Sequence, residues 1–373
     1  MASSRGLKEV GFFDCAGGGQ ITVKGNFAYI GHMANPYGTS IIDVSDPLHP
    51  KLMAHIEMPK GTHSHKVRAT DEIMVRNHEL LGSGKPEDFH TGVGIFDVSD
   101  KQHPKKISTW DTVGRGVHRF DFDGRYLYFS STMEGFRGPI MVVLDISDPE
   151  SPKEVCKWWI PGQWEAGGEE FVWGDGPEPR CHHPLRLGNR LYVSYWHHGF
   201  FILNIDDLKK PKKISGLNSS PSFPHPTHTA LPIPFEIRGH KIMVVADEDV
   251  AKLRPHAPSF AWVVDITDET NPIPISSFQV DGLDPDGAPQ EPFTGCHQPS
   301  EVVIDEIIPF AWFSKGVRLV NISNPHSPKE VGHFEPDPQP GCKRLSSNDV
   351  TLDDRGLVYV IDRLRGLHIL ERV

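Results

Sequence analysis

The stretch Gly116-Val117-His118-Arg119-Phe120-Asp121-Phe122-Asp123-Gly124-Arg125-Tyr126-Leu127-Tyr128-Phe129 decides the fold. A histidine opens an alternating strand, an Asp-Gly turn follows, and a second apolar strand returns. Thr62 to Val75 repeats this phrase with His65 in the leading place, and Cys181 to Val193 repeats it with His182 or His183. Thr227-His228-Thr229 and Cys296-His297-Gln298 open in the same way. Ser347-Asn348-Asp349 puts an asparagine at that position, and Gly18-Gly19-Gln20 puts Gly19 or Gln20 there. Seven copies of one phrase are present, and five of them carry histidine at the same phase.

A second phrase follows each copy but the last. It reads Ile42-Asp43-Val44-Ser45-Asp46-Pro47 through Pro50-Lys51, and returns at Phe96 to Lys105, Leu144 to Lys153, Leu203 to Lys212, Val264 to Pro272 and Val320 to Lys329. Asp and Ser side chains bond the turn backbone, and proline fixes φ and ends the ladder. A period of roughly 50 to 60 residues is that of propeller blades. Each unit is therefore expected to hold four strands, A to D, with A opening at the histidine. The final unit, Leu352 to Leu370, lacks a D strand. Lys8-Glu9-Val10-Gly11-Phe12 matches Lys329-Glu330-Val331-Gly332-His333-Phe334, the D strand of the sixth unit. The expectation is an all-β, seven-bladed β-propeller occupying residues 1–373 as one domain, its N-terminal strand closing the last blade and removing the open sheet edges.

Composition is consistent with this and excludes several functions. Glycine (35) and proline (33) are abundant among the 373 residues, as many short strands and tight turns require. A net charge of −11 argues against nucleic acid or an anionic membrane as partner, and no apolar run is long enough to span a bilayer. Met1 to Val10 has no apolar core of a signal peptide, and five cysteines form no even framework. A cytoplasmic protein with reduced thiols is expected.

The Leu/Val-Asp-Ile/Val-Ser-Asp-Pro-x-x-Pro-Lys repeat, with Tyr195-Trp196 and Gly199 leading into a C strand, resembles the LVIVD-repeat β-propellers over nearly the whole chain. The resemblance implies the fold and says little about activity. In architecture alone the chain is similar, more distantly, to the selenium-binding protein/methanethiol oxidase and carotenoid-cleavage oxygenase propellers.

In a four-stranded blade the D-to-A and B-to-C connections share one face. All long insertions, among them Leu80 to Thr91, Pro161 to Cys181 and Val280 to Cys296, fall on that face, where strand A also begins. The leading histidines are thus expected to converge at the channel rim. His65, His118, His182 or His183, His228 and His297 become candidate metal ligands, with Glu79, Glu134 and Glu248 as supporting or acid/base groups. The ion would be Fe, Mn, Zn or Cu, acting on a small-molecule substrate, with oxygen chemistry placed ahead of hydrolase or lyase chemistry. Three blander readings stand beside it: a metal-free polar pocket, structural histidines, and a scaffold whose top face docks a protein. His49, His103 and His326 fall in opposite-face turns; His225, His240 and His256 are insertion residues without repeat support. Cys181 and Cys296 are expected to point into packing, because neighbours along a strand face opposite sides. Trp158, Trp159, Trp164, Trp173 and Trp196, with Phe171 and Phe223, either wall a substrate pocket or pack between blades. Glu165, Glu169 and Glu170 are acid/base candidates if a loop desolvates them.

Overall fold

Seven antiparallel sheets form the ring, in a computed structural model that describes residues 3–81, 89–250, 258–283, 293–342 and 344–373. The first blade runs Gly18–Lys24, Phe27–His32, Gly38–Asp43 and Lys51–Glu57, and the third Val117–Phe122, Tyr126–Ser131, Ile140–Asp145 and Lys153–Trp158. Each phrase of the sequence becomes strands A and B, and each Asp-Ser-Asp-Pro phrase becomes the C-to-D turn. In those turns Asp43, Asp97 and Asp145 accept the backbone N–H two residues on. Apolar residues from the facing sheets of adjacent blades form the core, as in the cluster joining Val75 and Val93 to Phe120, Phe129 and Val142. Among the described residues no helix is long and apolar enough to cross a membrane.

The closure read from the sequence is present. Leu7–Asp14 pairs antiparallel with Gly366–Arg372 and becomes the outer strand of the seventh blade. Unforeseen was the short strand Ser3–Arg5, which adds a fifth strand to the sixth blade by pairing with Lys329–Glu335. The N-terminus therefore stitches two neighbouring blades.

One irregularity positions everything that follows. In five blades the A–B ladder skips at the ring position: between Gly18 and Gln20, Val117 and Phe120, Thr227 and Thr229, Cys296 and Gln298, and Ser347 and Asp349. A β-bulge places two residues opposite one and breaks the strict alternation of side chains. Two successive residues, rather than one, then face the channel. Cys181 and Cys296, one place before the ring histidines, stay in the inter-blade cores, where burial drives both thiols well above the usual range.

Candidate metal centre

The strand starts line the channel in two tiers. Upper positions hold His65, His118, His182, His228, His297 and Asn348. Residues one place further on, Lys66, Arg119, His183, Gln298 and Asp349, are all buried beneath them. The upper imidazoles form a continuous arc, with ring centroids 4.7 Å apart from His65 to His118, 4.9 Å from His118 to His182, and 4.4 Å for each of the next two steps to His228 and His297. At its start His63 stacks on His65 at 4.1 Å, and at its end His297 stacks on Phe313 at 4.5 Å. In the first blade the ring position is Gly19, where a Cβ would lie 2.6 Å from that of His65. Glycine is what lets the second blade bring its histidine in.

Backbone carbonyls of the next blade orient the rings. His182 Nδ1 lies 2.9 Å from the His228 carbonyl oxygen, His297 Nδ1 bonds the Asn348 carbonyl, and Asn348 Nδ2 donates to the Gly19 carbonyl. A carbonyl only accepts, so Nδ1 carries the proton and Nε2 is left as a bare electron pair. His118 reaches the same state by another route, with Nδ1 2.8 Å from Glu79 Oε2. Glu79 is buried and is also met by His63 Nδ1 at 3.1 Å and Arg115 at 3.0 Å. Burial alone would raise its pKa, but His118 and His63 outweigh it and hold the carboxyl well below the ordinary value.

The decisive distance is between His118 Nε2 and His182 Nε2, 3.1 Å. Both nitrogens are assigned as unprotonated by the bonds at Nδ1, so two electron pairs face each other at hydrogen-bond range. Two nitrogens each about 2.0–2.1 Å from a common ion lie about 2.9 Å apart at a right angle and about 3.4 Å apart at the tetrahedral angle. The observed gap falls inside that span. On one side of this pair stand His63, His65 and Glu79, grouped with His118; on the other stand His228 and Glu248, grouped with His182. His63 Nε2 is buried with no partner, a further orphaned nitrogen. The residues fit a metal.

Electrostatics keep the ring in its ligand form. Burial, followed by neighbouring imidazoles and Arg119, holds His65, His182 and His228 well below 6.5. For His297 burial comes first and Arg363 and Arg119 follow, and for His183 burial is reinforced by Arg119 and Lys66. His118 falls to about 4, burial being opposed by Glu79. An imidazole depressed in the folded state contributes stability above its unfolded pKa and loses it as pH falls toward the folded value, because the unfolded chain binds more protons in between. Unfolding of the metal-free protein by denaturant is therefore expected to become easier from about pH 6.5 down to about pH 4, by up to about 1.4 kcal/mol per pH unit for each such imidazole. A flat stability profile across that window would contradict the buried neutral ring.

The sequence candidates fare unequally. His65, His118, His182, His228 and His297 all line the ring, and Glu248 comes within 3.6 Å of His297 Nε2. His228 is already satisfied by protein, accepting from Arg119 at Nε2 (3.1 Å) and meeting Thr229 Oγ1 at Nδ1 (2.7 Å), so coordination there requires Arg119 to give way. The open choice between His182 and His183 has a structural answer. His182 belongs to the ring, while His183 is in the lower tier, 3.6 Å from Glu301 and outside both donor groups. Glu134 is exposed and joins neither group. Glu169 caps the backbone N–H of Gly162 and Trp164, and Glu165 pairs with Arg137; both are turn structure. Of the aromatics, Trp196 lines the site, Trp158 packs on Tyr195 and Phe201, and Phe223 packs on Phe260 and Trp262. His49 and His103 bond Asp46 and Asp100 within exposed turns, and His256 lies outside the described residues. Sequence reasoning passed over His63, Arg119 and Arg180.

Below the ring the channel is blocked. Glu301 binds Lys66 (2.7 Å), Arg119 (3.2 Å) and Arg68, crossing the axis between the second, third and sixth blades. Above it, a cleft of about 530 Å³ opens beside His118 and Glu79, walled by Pro139, Pro179, Arg180 and Trp196. Of the ring imidazoles, His118 lines this upper cleft.

The LVIVD repeat family model matches residues 18–57, the whole first blade, and 135–158, the outer half of the third. The chain is a seven-bladed propeller carrying LVIVD repeats. An uncharacterized protein of Methanocaldococcus jannaschii is 26% identical over 116 residues, covering 29% of this chain and only 17% of that protein. Among solved structures, the periplasmic gluconolactonase of Pseudomonas aeruginosa superposes with a TM-score of 0.62 at 12% identity, over 90% of this chain and 89% of its own. A streptogramin B lyase gives 0.57 at 13% identity over 98% and 97%. Saccharomyces cerevisiae Sqt1 gives 0.55 at 11% over 95% and 86%. At these identities the likeness is one of fold.

Proposed function

We propose that this chain is a metal-dependent enzyme that acts on a small organic molecule in the cleft above the histidine arc. The observation carrying this reading is the pair of unprotonated Nε2 atoms of His118 and His182, 3.1 Å apart. Those two nitrogens would hold the ion, with further donors available from His63 and His65 on one side and from His228 and Glu248 on the other. An imidazole and carboxylate set without thiolate suits Fe, Mn, Cu or Zn, and such an ion supplies Lewis acidity or redox chemistry to whatever it binds.

The chain's own residues do the rest. Glu79 fixes the His118 tautomer, and backbone carbonyls fix His182 and His297, so the donor atoms are aimed before any ligand arrives. Lys66, Arg68, Arg119 and Glu301 close the channel beneath and keep bulk water from entering below. Oxygen-dependent oxidation is the first reading of the reaction, because the donors are nearly all imidazole. Hydrolysis or elimination is the second. Glu248 favours it: burial raises the pKa of this carboxyl beside His297, and a carboxyl so placed can take or give a proton. A lactonase and a lyase among the propeller neighbours are compatible with that second reading.

The test is to load purified protein separately with Fe, Mn, Cu and Zn and screen small organic acids and lactones for oxygen uptake and for hydrolysis or elimination. Turnover that a chelator abolishes and the metal restores is expected. Failure to retain any stoichiometric transition metal would overturn the enzyme reading in favour of a protein-docking scaffold.

A further inference from the structure

We infer that the cleft is built for an organic carboxylate, anchored by Arg180 and the indole N–H of Trp196 with its body directed toward His118. Three observations on one wall carry this. Arg180 lines the cleft as a half-buried cation, and among the described residues no carboxylate lies within ion-pair distance of it. Its Nε–H is buried without an acceptor, and so is the Nε1–H of Trp196. The guanidinium sits 4.1 Å from the centre of the Trp196 ring, which in turn lies 5.7 Å from the ring of His182.

Guanidinium and indole N–H groups donate and never accept. Two orphaned donors and one unpaired positive charge, side by side, call for a ligand that brings acceptor oxygens and one negative charge. Buried donors left unsatisfied are costly, and a carboxylate answers both at once through charge-assisted bonds. The other cation of the cleft, Arg115, is already committed to Glu79 at 3.0 Å. With Glu79 and Glu248 nearby and Glu178 exposed on the same cleft, a dianion such as phosphate meets too much negative charge. Pro139, Pro177 and Pro179 face the same space and give the ligand body an apolar seat. The Trp196 backbone sits at φ 48°, a left-handed conformation that a bulky residue adopts only when its surroundings impose it.

The choice of substrate class deepens the metal-enzyme reading and rests on it only for what lies at the far end of the ligand. Anion capture itself needs no ion, which keeps the two separable. Benzoate, neutral benzamide and inorganic phosphate are titrated calorimetrically into metal-free and Zn-loaded protein. Benzoate is expected to bind at least about tenfold more tightly than benzamide or phosphate. Arg180→Gln should lower benzoate affinity by about 10- to 100-fold, the range for a lost charge-assisted bond, with the bound zinc per chain unchanged. Arg180→Lys should recover part of the loss, and Trp196→Phe should cost several-fold while keeping the ring face. Circular dichroism confirms that each variant is folded. Equal binding of benzoate and benzamide, preference for phosphate, or an Arg180→Gln variant that binds benzoate normally would overturn the proposal. Arg180-dependent benzoate binding by a protein that retains none of Fe, Mn, Cu or Zn would uphold it while refuting the metal.

Discussion

His118→Ala is expected to abolish stoichiometric metal binding while leaving the fold nearly intact. His118 stands at the junction of the two donor groups, its Nε2 facing His182 and its Nδ1 held by Glu79. Removing it takes away one nitrogen of the only imidazole pair among the described residues with Nε2 atoms in direct contact. The loss should far exceed the roughly 10–100-fold that deleting a supporting hydrogen bond costs a metal site. Glu79→Gln, which loosens the tautomer without removing a nitrogen, should fall within that smaller range. Stability should respond differently. The metal-free wild type holds two electron pairs against each other, so truncating one relieves repulsion as it removes contacts. Metal per folded chain and the thermal unfolding midpoint, measured on one preparation, separate the two effects. A collapsed midpoint with unchanged metal content would make the arc structural.

Deleting residues 1–14 should prevent recovery of a stable folded chain. Leu7–Asp14 supplies the outer strand of the seventh blade, and its loss leaves Gly366–Arg372 as a bare edge. Leu7 is buried, and burying such a side chain is worth about 1.5–3 kcal/mol. Each ladder bond adds a net of about 0.5–1.5 kcal/mol. An eight-residue strand and its contacts thus approach the whole stability of an ordinary domain, about 5–15 kcal/mol. The exposed edge also invites pairing between chains. The truncated protein is expected to aggregate, and a peptide of residues 1–16 added in trans should restore soluble material. A truncated chain that unfolds at the wild-type denaturant midpoint would show that the closing strand contributes little.

The fold was legible because the repeat is carried by turn chemistry and alternation, both local. Closure by the N-terminus was legible because Lys8 to Phe12 reads like Lys329 to Phe334. The ring was legible as a phase in the repeat, but its fine geometry was not. Depth in the channel depends on where the strand begins to pair with its neighbour, so the sequence left His182 and His183 as alternatives where the structure puts His182 in the ring and pairs His183 with Ser194 one place deeper. His63 carried a usable signal, since Thr62-His63-Ser64-His65 sets two imidazoles two residues apart. Glu134 stands apart from both donor groups for a different reason. It follows its B strand at a distance set by the loop to Trp164, whereas Glu79 is still within the strand Ile73–Leu80 and inherits its direction. Arg180 belongs to an insertion without a repeat partner, and only the folded cleft gives it a role.

The most direct measurement is an anomalous difference map from crystals grown with a transition metal and recorded at its absorption edge. The expected result is one dominant peak between His118 and His182, about 2.0–2.1 Å from each Nε2 for zinc. An empty map at that point, or a peak held only by surface histidines such as His49 and His103, would contradict a metal centre in the histidine arc.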